Sequence, residues 1–367
     1  MVSGSMQRPK ASTVPTVTPR SLGYRMPAEW EPHQSTWLAW PHNRSDWPGK
    51  FDAIPWVFAD IIRHLARHEE VNLIVASARE KKTAREVLKL SHVNTRHVKF
   101  HIWPTNRIWT RDSGPIFVRK ERAVALTNWR FNAWAKYPDW KHDNQLPGRI
   151  GKKLKLQQFT PVIERNGKRY HVVLEGGSID VNGQGLMLST EECLLSKVQQ
   201  RNAGLSKLDL EKVFADYLGV EKVIWLGRGI KGDDTHGHVD DISRFVAADT
   251  VLTAVEPNKK EANYEPLQEN LRRLRAATDL QGRKLQIVEL PLPRPVVFRG
   301  QRLPASYANF YIANGLVLVP TFNDPNDRHA LNILADLFPD REIVGIHCGD
   351  FIWGLGAIHC MTQQQPE

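Results

Sequence analysis

The sequence predicts an α/β protein built from five similar units closed around a central axis, and three observations carry that expectation. Strand-like apolar runs alternate with segments of helical periodicity along most of the chain. Short apolar strands pair across tight turns, twice through Asn-Gly (Asn182-Gly183 and Asn314-Gly315), the strongest short-range hairpin signal. Just before or at the start of each hairpin a polar residue stands beside small ones: Asp112, Glu175, His238 with Asp240, Asn309, and finally Cys360, at roughly even intervals. A doubly wound sheet would also alternate strands and helices, but it would not explain repeated hairpins with polar starts. Closure brings residues that are distant in sequence to one centre.

Residues 1–24 are rich in Ser, Thr and Pro and contain no Asp or Glu, so they are expected to be disordered. Met1 to Met6 reads as a tag remnant before a second start, with an acid-poor organelle transit peptide as the alternative. A single folded domain is expected over 25–367. Ile54, Val57, Phe58, Ile61, Ile62 and Leu65 fall at helical spacing and lead into a strand over Val71–Val75. A helix from about Thr83 to Leu90 precedes a strand over Val98–Trp103. Further helices read at Asp209–Leu218, Glu265–Ala277 and Ala330–Phe338, leading into strands Val223–Leu226, Leu285–Leu290 and Glu342–Ile346. The hairpins pair Ile116–Val118 with Ala123–Leu126, Ser178–Val181 with Leu186–Leu188, Ile242–Val246 with Val251–Ala254, and Asn309–Ile312 with Leu316–Val319.

With 367 residues, 41% of them apolar, the chain can bury a large core. No run of about 18 apolar residues exists, so no transmembrane helix and no membrane partner are expected. Three cysteines without framework spacing (Cys193, Cys348, Cys360), and no signal-peptide core at the start, point to a reducing, cytoplasmic setting. The net charge of +10 raises the question of nucleic acid. The basic residues, however, are scattered in short groups such as Lys81-Lys82 and Arg272-Arg273, and no helix carries a basic stripe interleaved with aromatics. Nucleic-acid binding is therefore not the expected function.

Cys360 lies close to the C-terminus between two glycines (Gly354, Gly356) and a polar run, an odd place for a packing residue, and is the expected nucleophile. In Trp109–Pro115, Asp112 reads either as a turn cap or as a carboxylate for a cation, with the Trp109 indole as a stacking face. His238 and Asp240 would share a face of a strand, with His236 joining them if the strand extends that far. Such a cluster permits metal binding or acid/base catalysis by one histidine, but further ligands at a recognisable spacing are missing. Glu175 beside Gly176-Gly177 would let a ligand approach the backbone, and Asn309 sits among aromatics as a strand-end hydrogen-bonder. Cys193 reads as a small buried apolar residue and Cys348 as structural.

Taken together, Trp30-Glu31-Pro32-His33 through Trp40-Pro41, Trp109–Pro115, Glu175-Gly176-Gly177, Gly237-His238-Val239-Asp240, Tyr307–Tyr311 and Ile358-His359-Cys360 through Pro366 resemble the agmatine deiminases. Bacterial-type peptidylarginine deiminases are the wider relatives. The resemblance implies a five-bladed α/β propeller, the pentein fold, and hydrolysis of agmatine to N-carbamoylputrescine and ammonia without metal or cofactor. It further implies Cys360 as nucleophile, His238 as acid/base, and Asp112 and Asp240 as guanidinium-binding carboxylates. Trp109, Glu175 and Asn309 would be substrate contacts. Deimination of free or peptidyl arginine is the alternative, and a homo-oligomer is compatible with the family. Many members have a more glycine-rich approach to Ile-His-Cys, with Asn where this chain has Ala357.

Overall fold

A hairpin, then a helix, then a third strand parallel to the second is the unit from which the fold is assembled. The structure, a computed structural model, describes residues 17–165 and 168–367. In one sheet Ile116–Lys120 pairs antiparallel with Ala123–Thr127, which pairs parallel with Gln157–Phe159. The same order recurs in Ile179–Val181, Leu186–Thr190 and Lys222–Leu226, and in Ser243–Ala247, Thr250–Val255 and Gln286–Pro291. It recurs again in Tyr311–Ala313, Leu316–Thr321 and Glu342–His347. Parallel neighbours cannot be joined by a tight turn, and the helices Leu146–Leu154, Lys207–Leu218, Tyr264–Ala276 and Asn326–Leu337 make the crossovers.

The remaining sheet is built from both ends of the chain. Gln363–Pro366 lies antiparallel to His33–Ala39, which continues through parallel Glu70–Val75 to Val98–Ile102. Its hairpin partner thus arrives some 330 residues later, and side chains secure it. The Gln365 Oε1 accepts from the Trp37 indole at 2.9 Å and from Ser35 Oγ at 3.2 Å. The helix Ile54–Leu65 turns Ile54, Phe58, Ile61, Ile62 and Leu65 into the core, where Trp37, Trp47, Tyr311 and Phe351 also meet. A second cluster gathers Met26, Trp129, Phe214 and Tyr217 under the neighbouring sheets.

Several boundaries differ from expectation for identifiable reasons. The expectation of disorder over 1–24 lies outside the described residues as far as residue 16. From Val17 the chain is placed, Arg20–Leu22 forms a 3-10 turn, and Tyr24 meets Phe159 edge-on at 6.1 Å. The helix expected at Thr83 begins at Ala78. Its first turns carry no apolar period, but Ser77 Oγ accepts from Glu80 N (3.2 Å) while the Glu80 carboxylate accepts from Ala76 N (2.8 Å). Ser178, Ile242 and Asn309 sit in turns just before their strands rather than within them. The terminal strands, the helix Leu146–Leu154 and the hairpin Val162–Arg165 with Lys168–His171 have no counterpart in the sequence reading. Among the described residues no helix is long and apolar enough to cross a membrane.

Deleting residues 363–367, which leaves Cys360 in place, strips the partner from Trp37 and from the strand His33–Ala39. Each buried donor left unpaired costs about 1–3 kcal/mol, so stability is expected to fall by roughly 3 kcal/mol or more in equilibrium urea unfolding. An unchanged midpoint would contradict the view that the terminal strand secures the fold.

Candidate active site

Cys360 lies 5% exposed in a cleft of about 170 Å³ lined also by Trp109, Asp112, Trp134, Tyr137 and Asp234. The approach to it is tight. Leu355 adopts φ 69°, in the left-handed region, and a Cβ on Gly356 would stand 2.8 Å from the Trp109 ring and 3.2 Å from the Cys360 Cβ. Asn309 fixes the cysteine from behind. Its Oδ1 accepts from the backbone N–H of His359 (2.9 Å) and Cys360 (3.4 Å), while its Nδ2 lies 3.1 Å from Cys360 Sγ and donates to Asp241 Oδ1 at 2.9 Å.

His238 is fully buried among acids. Its Nδ1 lies 3.8 Å from Asp112 Oδ1 and 4.0 Å from Asp240 Oδ1, and its Nε2 lies 3.9 Å from Glu175 Oε2. Among the described residues, neither ring nitrogen has a hydrogen-bond partner, nor does Glu175 Oε2. Gly177 makes this convergence possible: it donates its N–H to Asp112 Oδ1 at 3.0 Å. A Cβ there would come within 2.6 Å of His238 Nδ1, 2.9 Å of Asp112 Oδ1 and 3.0 Å of Asp240 Oδ2. The glycine therefore makes room for the protein's own side chains, whereas the sequence suggested room for a ligand.

Burial sets the electrostatics. It pushes Asp112 up to about 6, the charge of His238 opposing while Asp240 and Glu175 add to the rise. Burial also acts to raise Glu175, but Arg201, whose Nε donates to Glu175 Oε1 at 3.2 Å, and His238 hold it below the usual carboxylate range. For His238 burial favours the neutral ring, yet Asp112, Cys193 and Glu175 outweigh it and raise the imidazole well above its ordinary value. The Cys360 thiol is pushed well up by burial and then by Asp240, Asp241 and Asp112. A cation placed among these acids would reverse much of that push and favour the thiolate.

A second layer holds the acids in place. Asp240 Oδ2 pairs with His359 Nδ1 at 2.7 Å, and this bond keeps Asp240 low against burial. His359 Nε2 lies 2.7 Å from Glu29 Oε2, and Glu29 receives Arg111 Nη2 (3.1 Å), Arg244 Nη2 (2.8 Å) and the Ile312 N–H (2.9 Å). On the cleft side Trp134 Nε1 donates to Asp112 Oδ2 at 2.9 Å. Trp134 is held in a left-handed turn with Ala133 and Ala135 (φ 58°, 50° and 54°), a conformation costing roughly 1–2 kcal/mol per non-glycine residue.

The structure thus brings Cys360, His238, Asp112, Asp240, Glu175, Asn309 and Trp109 to one place. His238 stands at the N-cap of a 3-10 turn, Val239–Asp241, and Asp240 lies within it, so a turn and not a strand places them together. His236, with φ 67°, turns away, its Nε2 3.3 Å from Ser196 Oγ. Cys193, read as an apolar filler, is buried, but its sulfur faces His238 and Glu175, and the three ligand atoms lie within 4.8 Å of one another. Asp240, Asp241 and Cys360 form a second group of that kind, and among the described residues these two groups could hold a metal ion. Glu29, Trp134, Arg201, Arg244 and Asp241 were missed. Asp241 beside Asp240, and His359 beside Cys360, were the signals in plain view.

Two variants test this geometry. Gly177→Ala should lower turnover at least about 100-fold with the fold retained by circular dichroism, since its methyl group displaces His238 or Asp112 by an ångström-scale shift. Asp240→Asn removes a negative charge beside the thiol, so the pH profile of Cys360 alkylation by iodoacetamide should move to lower pH. Movement to higher pH would refute the assigned cause.

Comparison with known proteins shows the family to which the chain belongs. The family model for Porphyromonas-type peptidyl-arginine deiminase matches residues 25–366. Agmatine deiminase of Pseudomonas aeruginosa (strain LESB58) is 38% identical, over 96% of this chain and 98% of its own. Among solved structures, agmatine deiminase of Enterococcus faecalis superposes with a TM-score of 0.87 at 33% identity, covering 96% of this chain and 99% of that one. A cysteine-to-serine variant of the C. jejuni agmatine deiminase with substrate bound gives 0.82 at 28% identity, over 94% and 96%. The chain belongs to the Porphyromonas-type peptidyl-arginine deiminase family of mixed α/β enzymes.

Proposed function

We propose that the protein hydrolyses agmatine to N-carbamoylputrescine and ammonia, on the route to putrescine, through a covalent thiouronium on Cys360. The observation that carries this reading is a buried thiol 3.7 Å from Asp240 Oδ2 in a cleft that Asp112 and Asp234 also line, with His238 beside Asp112 and Asp240. A guanidinium is planar, delocalised and a poor electrophile. Two carboxylates, Asp112 and Asp240, would hold its N–H groups while Cys360 Sγ reaches the central carbon. The substrate's charge offsets the acids that hold the thiol neutral and so promotes the thiolate. After attack, the tetrahedral adduct expels one nitrogen as ammonia with a proton from His238. His238, now neutral, takes a proton from water as the oxygen adds to the same carbon, and the C–S bond breaks to release the ureido product. Glu175 keeps His238 charged for the first step, Trp109 walls the cleft as a stacking face, and Asn309 holds the nucleophile. The five sheets of common strand order serve as blades of a closed α/β propeller, each unit supplying a group to the centre.

The far end of the cleft supports agmatine over arginine. Arginine would bring a carboxylate there and need a free cation. Arg107, the guanidinium lining the cleft, is already paired with Asp46 and with Asp139 (3.0 Å). Asp234, itself paired with the half-exposed Lys136, is an acid for which the ammonium tail can compete. Assayed by ammonia and ureido formation, agmatine should be turned over far better than arginine or an arginyl peptide. Asp234→Asn should raise KM for agmatine about tenfold, a charge-assisted hydrogen bond contributing about 1.5–3 kcal/mol. The same variant should leave n-butylguanidine, which lacks the amine, unchanged, and preferred turnover of arginine would overturn the reading.

A further inference from the structure

The acid assigned to the substrate's tail already has a cation on it. Lys136 Nζ forms an ion pair with Asp234 Oδ1, and Tyr137 Oη donates to Asp234 Oδ2 at 2.7 Å. Both residues follow the left-handed turn Ala133–Ala135, whose central Trp134 donates to Asp112, which also lines the cleft. One short segment therefore touches both acids that a guanidinium with an amine tail would need. Its seat is fixed: Asn132 Oδ1 accepts from Ala135 N at 3.0 Å, and Gln199 Nε2 bridges the carbonyls of Trp134 (3.2 Å) and Asp234 (3.0 Å). The Lys136 side chain is 40% exposed and Asp234 18%, so the lysine can swing to solvent while the carboxylate stays put.

A lysine side chain is a primary ammonium on four methylenes, and so is the tail of agmatine. We propose that Lys136 is a specificity-determining residue, an internal competitor whose ammonium occupies Asp234 until a substrate ammonium displaces it. This rests on the reading of Asp234 as the acceptor of the substrate's amine. Like charges disfavour two ammonium groups on one carboxylate, so a substrate must outbid the lysine to seat its tail. A ligand carrying only a guanidinium leaves the Lys136–Asp234 pair intact and gains nothing at the far end. Agmatine's apparent affinity is correspondingly reduced by the fraction of time Asp234 is paired.

The test is steady-state kinetics of Lys136→Met, Lys136→Arg and Asp234→Asn on agmatine and on n-butylguanidine. Lys136→Met should lower KM for agmatine about three- to tenfold with kcat little changed, and leave n-butylguanidine unmoved. Lys136→Arg, which keeps the pair, should stay near the parent enzyme. A Lys136→Met variant whose agmatine KM is unchanged or higher, or in which both substrates shift together, overturns the competitor role. Should Asp234→Asn spare agmatine, the tail assignment fails as well. If it raises agmatine KM while Lys136→Met does not lower it, only the competitor role falls.

Discussion

Asp112, Glu175, Asp240 and Asp241 share one buried volume with a thiol, and the rest of the site is arranged to tolerate that crowding. Burial disfavours a charged carboxylate, and with the neighbouring acids it raises Asp112 and Asp241 above the usual carboxylate range. Glu175 and Asp240 escape because each meets a fixed partner, Arg201 in one case and His359 in the other. His359 is in turn anchored to Glu29, and Glu29 to Arg111 and Arg244. Arg244 also reaches Asp180, so compensation extends outward across several sheets. Removing one member of such a chain leaves its partner as a bare buried charge, typically a larger loss than the net worth of the pair.

That constraint also shapes the chemistry. Acids that hold the thiol neutral are the groups best suited to bind a planar cation, so substrate binding and nucleophile activation become one event. Electrostatic groups fixed before the substrate arrives avoid reorganisation at the moment of reaction. The tight backbone features serve the same end. Gly177 lets three polar groups converge, the left-handed turn at Trp134 aims an indole N–H at Asp112, and Leu355 bends the chain into the cysteine loop.

Much of this was legible from the sequence because the reactive residues stand at repeated positions beside turns, where spacing alone exposes them. Asp112, Glu175, His238, Asn309 and Cys360 all follow that rule. Glu29, Arg244 and Arg111 do not, since they are single charged residues in different units that become partners only when distant elements pack. The pairing of Gln363–Pro366 with His33–Ala39 was hidden for a similar reason. Its residues are polar, and their burial is explained by Trp37 and Ser35 at the opposite end of the chain. Trp134 was invisible because three consecutive non-glycine residues in left-handed conformation contradict local preference and are sustained by tertiary contacts.

The central claim is that Cys360 attacks the guanidinium carbon within this buried acid cluster. Acid-quenching the enzyme during turnover of agmatine and mapping the digested peptides by mass spectrometry tests it most directly. The account predicts a substrate-derived adduct on the peptide containing Cys360, formed and lost with turnover, and none on Cys193 or Cys348. Turnover without an adduct at Cys360, or with the adduct on another cysteine, would contradict it.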